Sequence, residues 1–359
     1  MAGTATPPPG RARPTGMKAV AERAGVAISS VSRVLSGHPD VSDAMKDRVL
    51  GAVADLGYEP DMLAQSLRTG ETRSIGFVVS DIANPVFALM AHGAELELAS
   101  HGYSVLLASS LNDDRVALQQ IRRMHQRRVD GLIVSAGEER DGPISEHLRR
   151  STIPTVLVDR RLSVPDASHV YSAHRLGVAQ AAEHLLALGH RRIALINGQP
   201  EVLPAAARAR AMQQAVAGVD GVELTVSSGT FSEEHGRAAM IALMAGDEPP
   251  TAVVAGGNQL LVGVLRAIRE LGLRVPRDVS LVTCDPLPLA EFLDPALSVV
   301  WRDARQLGVR AARALLARLD GEAARDVRLP TDFRAAGSSA APRDGGIPAR
   351  AASAARGLL

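Results

Sequence analysis

The stretch AERAGVAISSVSRVLSGHPDVS, residues 21–42, contains two short segments whose apolar residues repeat at helical spacing. Gly25 lies between the segments, where a tight turn needs a residue that tolerates positive φ. Val31 and Val34 fall on one face of the second segment and predict its buried side. The opposite face is polar and carries Ser29, Ser30, Ser32 and Arg33.

Two short helices joined by a glycine-containing turn can form a helix-turn-helix, whose second helix enters the major groove of DNA. Small hydroxyls suit phosphates or base edges, and an arginine suits guanine or phosphate. Residues 17–70, however, hold six basic and seven acidic side chains, which is not the basic footprint expected of a DNA-binding domain. An ordinary helical hairpin with a solvated serine face therefore stays open on the residues alone.

The composition is that of an ordinary soluble protein. A length of 359 residues predicts two or three domains, and a hydrophobic content of 46% is enough for a sizeable core. The single cysteine, Cys284, excludes an internal disulfide framework, fits a reducing compartment and is expected to be a small buried hydrophobe. The chain has neither a signal-peptide pattern nor an apolar run of membrane-spanning length, so we expect a cytoplasmic protein without a membrane partner. No metal or cofactor motif is found.

The organisation along the chain changes near residue 73. Residues 1–15 are rich in proline and predict a disordered arm, and residues 16–60 predict three short helices. From residue 73 onward, apolar runs such as SIGFVVSD, VDGLIVSA and VSLVTCD alternate with helical patterns, which predicts parallel sheets in two α/β subdomains. Ligands bind such folds beyond the carboxyl ends of the strands. The tail, residues 334–359, has no pattern and is expected to be disordered.

The segment from Met17 to Val79 resembles the N-terminus of LacI/GalR-family transcriptional regulators. The motifs VAERAGV, VSRVLSG, LGYEP and AQSL occur in register, and the similarity continues to about Phe333 through NPVF, VDGLIV, EHLLALGHRRIALI and VPRDVSLV. The resemblance implies a helix-turn-helix headpiece over residues 16–60 and a hinge helix and linker over residues 61–72. It also implies a periplasmic-binding-protein-like core over residues 73–333, with two lobes.

The resemblance also implies which residues touch DNA. Ile28, Ser29 and Arg33 match base-contacting positions, and Ser30 and Ser32 match phosphate-contacting positions. In the hinge helix, Leu67 matches the leucine that wedges into the minor groove, with Ala64 packed beside its symmetry mate. The chain departs from the family at two places: Ala27 replaces a serine that caps the second helix, and Asp61 replaces an asparagine.

For the core, the family pattern implies crossings between the lobes near residues 172, 300 and 325. A homodimer would form through residues 86–101 and 260–271. The positions that match family ligand contacts are Asp81, Asn84, Phe87, Asp159, Arg210, Asn258 and Asp285.

The expected pocket departs from the family pattern most. The usual Asn-Asp pair is Gly257-Asn258, the usual GFDD is Thr283–Pro286, and an expected aspartate is Ala173. The loss of carboxylates favours a sugar-like effector that is acidic, or a pocket that has lost its ligand.

Three rival interpretations are weighed against this one. An enzyme is disfavoured because no nucleophile elbow, zinc-protease, P-loop or dinucleotide motif sits at a strand-to-helix turn. A secreted solute-binding protein would lack the headpiece. A regulator controlled by a protein co-regulator instead of a small ligand stays open. We therefore predict a dimeric repressor that binds a pseudo-palindromic operator and responds to a carbohydrate-like effector.

Overall fold

A computed structural model describes residues 16–35, 38–58, 70–137, 141–287, 292–343 and 348–359. The chain divides into two units, Met1–Thr72 and Arg73–Leu359. The arm expected over residues 1–15 lies outside the described residues, as does most of the expected hinge segment, including Asp61, Ala64 and Leu67.

Over its described residues, the first unit contains the three headpiece helices that the sequence predicts: α1 (Met17–Ala24), α2 (Ile28–Leu35) and α3 (Asp43–Leu56). Gly25 ends α1 with a φ of +65°, a left-handed conformation that glycine adopts without strain. The three helices enclose an apolar core that includes Val20, Val31, Val49 and Tyr58. We call residues 16–58 the headpiece.

The second unit is built from two lobes, each a parallel sheet with helices on both faces. The first lobe contains β1 (Ser74–Val79), α4 (Pro85–Ala99), β2 (Ser104–Ser109), α5 (Asp114–Gln126), β3 (Gly131–Ser135), α6 (Pro143–Arg149), β4 (Thr155–Val158) and β5 (Ser168–Ala173). Its strands read as continuous apolar runs because both of their faces are covered. In β1, Phe77 packs under α4, whereas Val78 packs under α5.

The second lobe follows the same plan. It contains α7 (His174–Ala187), β6 (Arg192–Asn197), α8 (Leu203–Val216), β7 (Glu223–Ser228), α9 (Glu233–Ala245), β8 (Ala252–Ala255), α10 (Asn258–Glu270), β9 (Ser280–Cys284) and β10 (Ser298–Arg302). The chain then adds α11 (Ala304–Leu319) to the first lobe, β11 (Asp326–Arg334) to both sheets and α12 (Ala349–Leu358) to the second lobe. The strand order is β2-β1-β3-β4-β5-β11-β10-β9-β8-β6-β7, and only the β10–β11 pair is antiparallel.

The chain passes between the lobes at three places. The first passage is the junction of β5 and α7, and the second follows β10, close to the expected positions 172 and 300. The third occurs inside β11, which pairs with β5 up to Pro330 and with β10 from Thr331. This crossing lies about five residues beyond the expected position 325, because one continuous strand serves both sheets.

The expectation of a disordered tail is wrong for the residues that the structure describes. Ser338 accepts a hydrogen bond from the Leu281 N–H at 2.8 Å and is completely buried. Helix α12 packs on the second lobe through Ala351 and Ala355, both completely buried. Alanines four residues apart form a narrow stripe that allows close packing, and alanine has the highest helix propensity.

Within these described ranges, no helix combines the length and the apolar character needed to cross a membrane.

Candidate functional site

Helix α2 of the headpiece exposes the side chains that the sequence singles out. Val31 and Val34 are buried, and Ile28 at the start of the helix is 49% exposed, which is unusual for a large apolar residue. Ser29 and Arg33 are exposed, and Ser30 and Ser32 are half-buried. The helix therefore presents an apolar contact at its N-terminus beside hydroxyls and a guanidinium, a combination suited to base edges and phosphates.

The start of α2 lacks the side-chain cap that most helices have. Ala27 precedes the helix, and its carbonyl accepts hydrogen bonds from the N–H groups of Ser30 at 2.9 Å and Val31 at 3.2 Å. A methyl group cannot accept a hydrogen bond from the first turn, so the departure noted in the sequence is a real loss of one cap.

A cavity of about 400 Å³ lies between the two lobes of the second unit. Its lining residues follow the carboxyl ends of the parallel strands, where ligands bind in α/β folds. The first lobe contributes Ser80, Asn84, Phe87, Ser110, Asn112, Asp114 and Arg160. The second contributes Gln199, Glu201, Arg208, Phe231, Gln259, Asp285 and Arg302.

The base of the cavity is a chain of four buried charges, which we call the cleft floor: Asp159, Arg208, Asp285 and Arg302. Arg208 donates from Nη2 to both carboxylate oxygens of Asp285, at 3.1 and 3.0 Å. Arg302 donates from Nε to Asp285 and from Nη1 to Asp159, so one guanidinium joins the two lobes. Asp159 also accepts hydrogen bonds from the backbone N–H of Ser172 at 2.6 Å and from its hydroxyl at 3.1 Å.

These contacts fix the charge states of the floor. Burial by itself would raise the pKa of Asp285, but attraction to Arg208 and Arg302 outweighs it and brings that pKa to about 2. Burial would likewise raise the pKa of Asp159, but attraction to Arg302 outweighs it, so this pKa is also lowered. The four residues therefore carry two negative and two positive charges that balance.

His174 stands next to the floor without joining it. Its Nε2 lies 3.9 Å from an Asp159 oxygen, too far for a hydrogen bond. Burial, followed by repulsion from Arg208, lowers the pKa of His174 to about 3, so the imidazole is neutral at physiological pH. Nearby, burial raises the pKa of the Cys284 thiol to about 11, and this side chain is the buried hydrophobe that the sequence predicts.

Three of the seven expected ligand residues line the cavity: Asn84, Phe87 and Asp285. Asp159 lies beneath the lining as part of the floor. Asp81 and Asn258 are beside the cavity but contact other protein groups: Asp81 accepts a hydrogen bond from Gln259, and Asn258 donates to the Pro286 carbonyl at 3.4 Å.

The expected contact at Arg210 needs correction. Arg210 is exposed, and Arg208 is the arginine of the same helix that lines the cavity. Two residues turn an α-helix by roughly 200°, so the two guanidinium groups point to opposite sides of α8. The segment RARAM contains both arginines, and only the helix face distinguishes them.

The lining residues missed in the sequence include Arg208, Phe231 and Arg302. Arg302 is the last residue of β10, and its position at the carboxyl end of a strand was a usable signal. Phe231 could not be found this way. Its ring occupies space that two glycines leave free, since a Cβ on Gly198 would lie 2.0 Å from the ring and one on Gly257 would lie 3.4 Å from it. The glycine that replaces the family asparagine thus borders an aromatic ring.

The two units together define a class of protein: a helix-turn-helix joined to a two-lobed binding core. Residues 16–61 match the family model described as bacterial regulatory proteins, lacI family, and residues 182–339 match a periplasmic binding protein-like domain. The chain belongs to the lacI family of bacterial regulatory proteins. It is therefore a DNA-binding transcription regulator and not an enzyme.

Two relatives illustrate the similarity. The chain is 33% identical to the ribose operon repressor of Escherichia coli strain K12 over 309 residues, which cover 84% of this chain and 92% of the relative. It is 33% identical to the HTH-type transcriptional repressor PurR of Erwinia tasmaniensis over 306 residues, which cover 84% of this chain and 90% of that protein.

Solved structures agree with the fold. The lac repressor dimer bound to operator and the anti-inducer ONPF matches with a TM-score of 0.82 and 25% identity, covering 92% of this chain and all of that one. A LacI family regulator from Enterococcus faecium with bound ribose matches with a TM-score of 0.68 and 26% identity, covering 75% of this chain and 100% of that one.

Proposed function

We propose that the protein is a cytoplasmic repressor that binds a pseudo-palindromic operator as a homodimer and is controlled by a small carbohydrate-like effector in the interlobe cavity. The observation that carries the proposal is the presence, in one chain, of an exposed α2 face and a cavity of about 400 Å³ between two lobes. A relative that is a ribose operon repressor and a neighbour with bound ribose support a sugar-like effector.

The DNA contacts proposed for this chain are Ile28, Ser29, Ser30, Ser32 and Arg33 on α2, with Ala64 and Leu67 from the hinge segment. An apolar side chain such as Ile28 reads apolar features of the major groove, of which the thymine methyl is the main one. In a dimer, two copies of α2 would meet half-sites one helical turn apart.

The effector proposed is a sugar or a sugar derivative, with acidic sugars included. Hydroxyl and amide side chains on the cavity wall, among them Ser80, Asn84 and Asn112, suit sugar hydroxyls. Phe87 and Phe231 provide apolar faces. Three guanidinium groups line the same cavity together with the carboxylates of Asp114, Glu201 and Asp285, so the lining suits neutral as well as charged sugar derivatives.

The operator is found first by selecting bound fragments from genomic DNA. Arg33→Ala should then cost about 1–3 kcal/mol of operator binding and relax specificity at one base position. Leu67→Ala should weaken binding to the operator more than binding to random DNA, because a minor-groove wedge acts through DNA bending. Arg310→Ala, on α11 of the core, is the matched control. Equal operator affinity in all three variants would contradict the proposed interface.

The effector is tested by thermal shift against neutral sugars, sugar acids, sugar phosphates and nucleosides. A ligand at 100 times its dissociation constant stabilises the folded state by about 2.7 kcal/mol. A response to a neutral or an acidic sugar supports the effector proposed, and a response to nucleosides only would contradict its carbohydrate character. If nothing in the panel binds, control by a protein co-regulator becomes the better explanation.

A further inference from the structure

A hydrogen bond joins the two lobes on the cavity side of the cleft. Gln259 Nε2 donates to Asp81 Oδ2 at 2.6 Å. Asp81 belongs to the loop between β1 and α4 of the first lobe, and Gln259 belongs to the first turn of α10 in the second lobe. The two residues are 178 positions apart in the chain, so only the arrangement of the lobes brings them together.

Both partners are held in place by their own lobes. The second carboxylate oxygen of Asp81 accepts a hydrogen bond from the N–H of Ala83 at 3.0 Å, which fixes the loop. Gln259 is the second residue of a 13-residue helix whose inner face is buried against the second-lobe core. Both are half-buried, so the bond is partly shielded from water. A hydrogen bond to an ionised carboxylate is stronger than one between neutral groups.

The bond is separate from the strands that connect the lobes. At the crossings, Arg302 joins Asp159 to Asp285, and β11 pairs with both sheets. Asp81 and Gln259 belong to neither β5, β10 nor β11. Gln259 itself lines the cavity, and so do Asn84, at the end of the Asp81 loop, and Phe87, in the first turn of α4. Separation of the two residues would therefore open the cavity from the side of this loop.

We infer that Asp81 is a positioning residue of the effector response: by accepting the Gln259 amide, it holds the two lobes closed over the cavity before any ligand is bound. The inference rests on the proposed function, because it assumes that the cavity is the effector site. A ligand can move the lobes only by its different affinity for the open and closed forms. This bond therefore sets the fraction of molecules whose lobes are closed before the effector binds.

The test is hydrogen exchange measured by mass spectrometry on the full chain without ligand. Gln259→Glu places a carboxylate against Asp81 and should open the cleft. The decisive readout is the segment of residues 199–204, which lines the cavity from the second lobe and lies more than 50 positions from Gln259 in the chain. Exchange there should become about tenfold faster, since a hydrogen bond to a charged group governs the opening.

Exchanging the amide and the carboxylate between the two positions should restore the hydrogen bond. In the double variant Asp81→Asn with Gln259→Glu, the new amide can donate to the new carboxylate, and its oxygen can still accept from Ala83. Exchange over residues 199–204 should return to the wild-type rate. Gln214→Glu, an exposed position on α8, adds the same charge and should change nothing. Asp81→Ala supplies the opening independently if Gln259→Glu alone does not fold.

Faster exchange confined to residues 81–84 and 258–262, or a double variant that stays as open as Gln259→Glu, would overturn the inference. Neither result depends on DNA or on an effector. The operator and thermal-shift measurements can therefore fail while the lobe closure stands, and the closure can fail while the regulator still binds its operator.

Discussion

The headpiece core and the cleft floor are both buried, but the first is built from apolar side chains and the second from charged ones. Among the described residues, the headpiece core contains apolar and aromatic side chains, including Val20, Val31 and Val49, and the residues proposed to contact DNA lie outside that core. The cleft floor buries four charges, with Asp159, Arg208, Asp285 and Arg302 exposed by 2%, 2%, 4% and 7%. In the headpiece, the residues that form the core differ from those proposed for recognition. In the floor, the charges that join the two lobes also form the base of the proposed effector cavity.

The largest effect is expected at the floor. Asp285→Ala leaves Arg208 and Arg302 without their shared partner, and breaking a buried ion pair in this way costs about 3–5 kcal/mol. Urea unfolding followed by the fluorescence of Trp301, the single tryptophan of the chain, reports on the core alone. Asp220→Ala, on an exposed turn, should stay within about 0.5 kcal/mol. A loss below about 1 kcal/mol at Asp285 would break the comparison, since the floor would then not support the fold.

The headpiece core should respond to lost volume instead of lost charge. Val31→Ala removes two completely buried methyl groups and should destabilise the headpiece by about 2–3 kcal/mol through lost burial and a cavity. Hydrogen exchange over residues 16–58 measures this loss, while the Trp301 transition should not move. Leu50→Ala, 52% exposed on α3, is the control. A shift of the Trp301 transition in Val31→Ala would show that the two units do not unfold separately.

Acid should weaken the cleft region before the headpiece. His174 has a pKa of about 3 in the folded protein, against an ordinary value of 6.5, so the unfolded chain binds more protons between these limits. Stability is therefore complete above pH 6.5 and falls as the pH decreases, by about 2 kcal/mol at pH 5. His174→Asn should flatten the slope of core stability between pH 6.5 and 5. If His101→Asn, at an exposed position, flattens it equally, the effect does not come from the floor.

The smallest expected effect is an increase in the stability of the headpiece. Ala27→Ser restores a side-chain acceptor before α2 and should stabilise the headpiece by about 1 kcal/mol, and Ala27→Gly should fall short of that gain by only a few tenths of a kcal/mol. Hydrogen exchange of Ser29 and Ser30 measures the change directly. The core should be unaffected. No gain at Ala27→Ser would mean that the first turn of α2 is already satisfied in another way.

Much of the fold could be predicted from the sequence. The residues that line the cavity could be predicted less well. Strand runs such as SIGFVVSD appear as β1 because burial on both faces demands continuous apolar residues. The tail was misjudged because its small residues give no amphipathic pattern, although Ala351 and Ala355 pack closely on the second lobe. At the cavity, strand ends identified Asp285, but the choice between Arg208 and Arg210 needed the face of α8.

The sequence by itself determined the headpiece, the alternation of strands and helices, and the family. These features depend on contacts between residues near each other in the chain, where periodicity and turn residues are visible. Only the tertiary structure decided the cleft floor and the bond between Asp81 and Gln259, whose members come from different elements up to 178 positions apart. A buried charge is tolerable only next to its partner, and no local pattern records which distant residue that partner is.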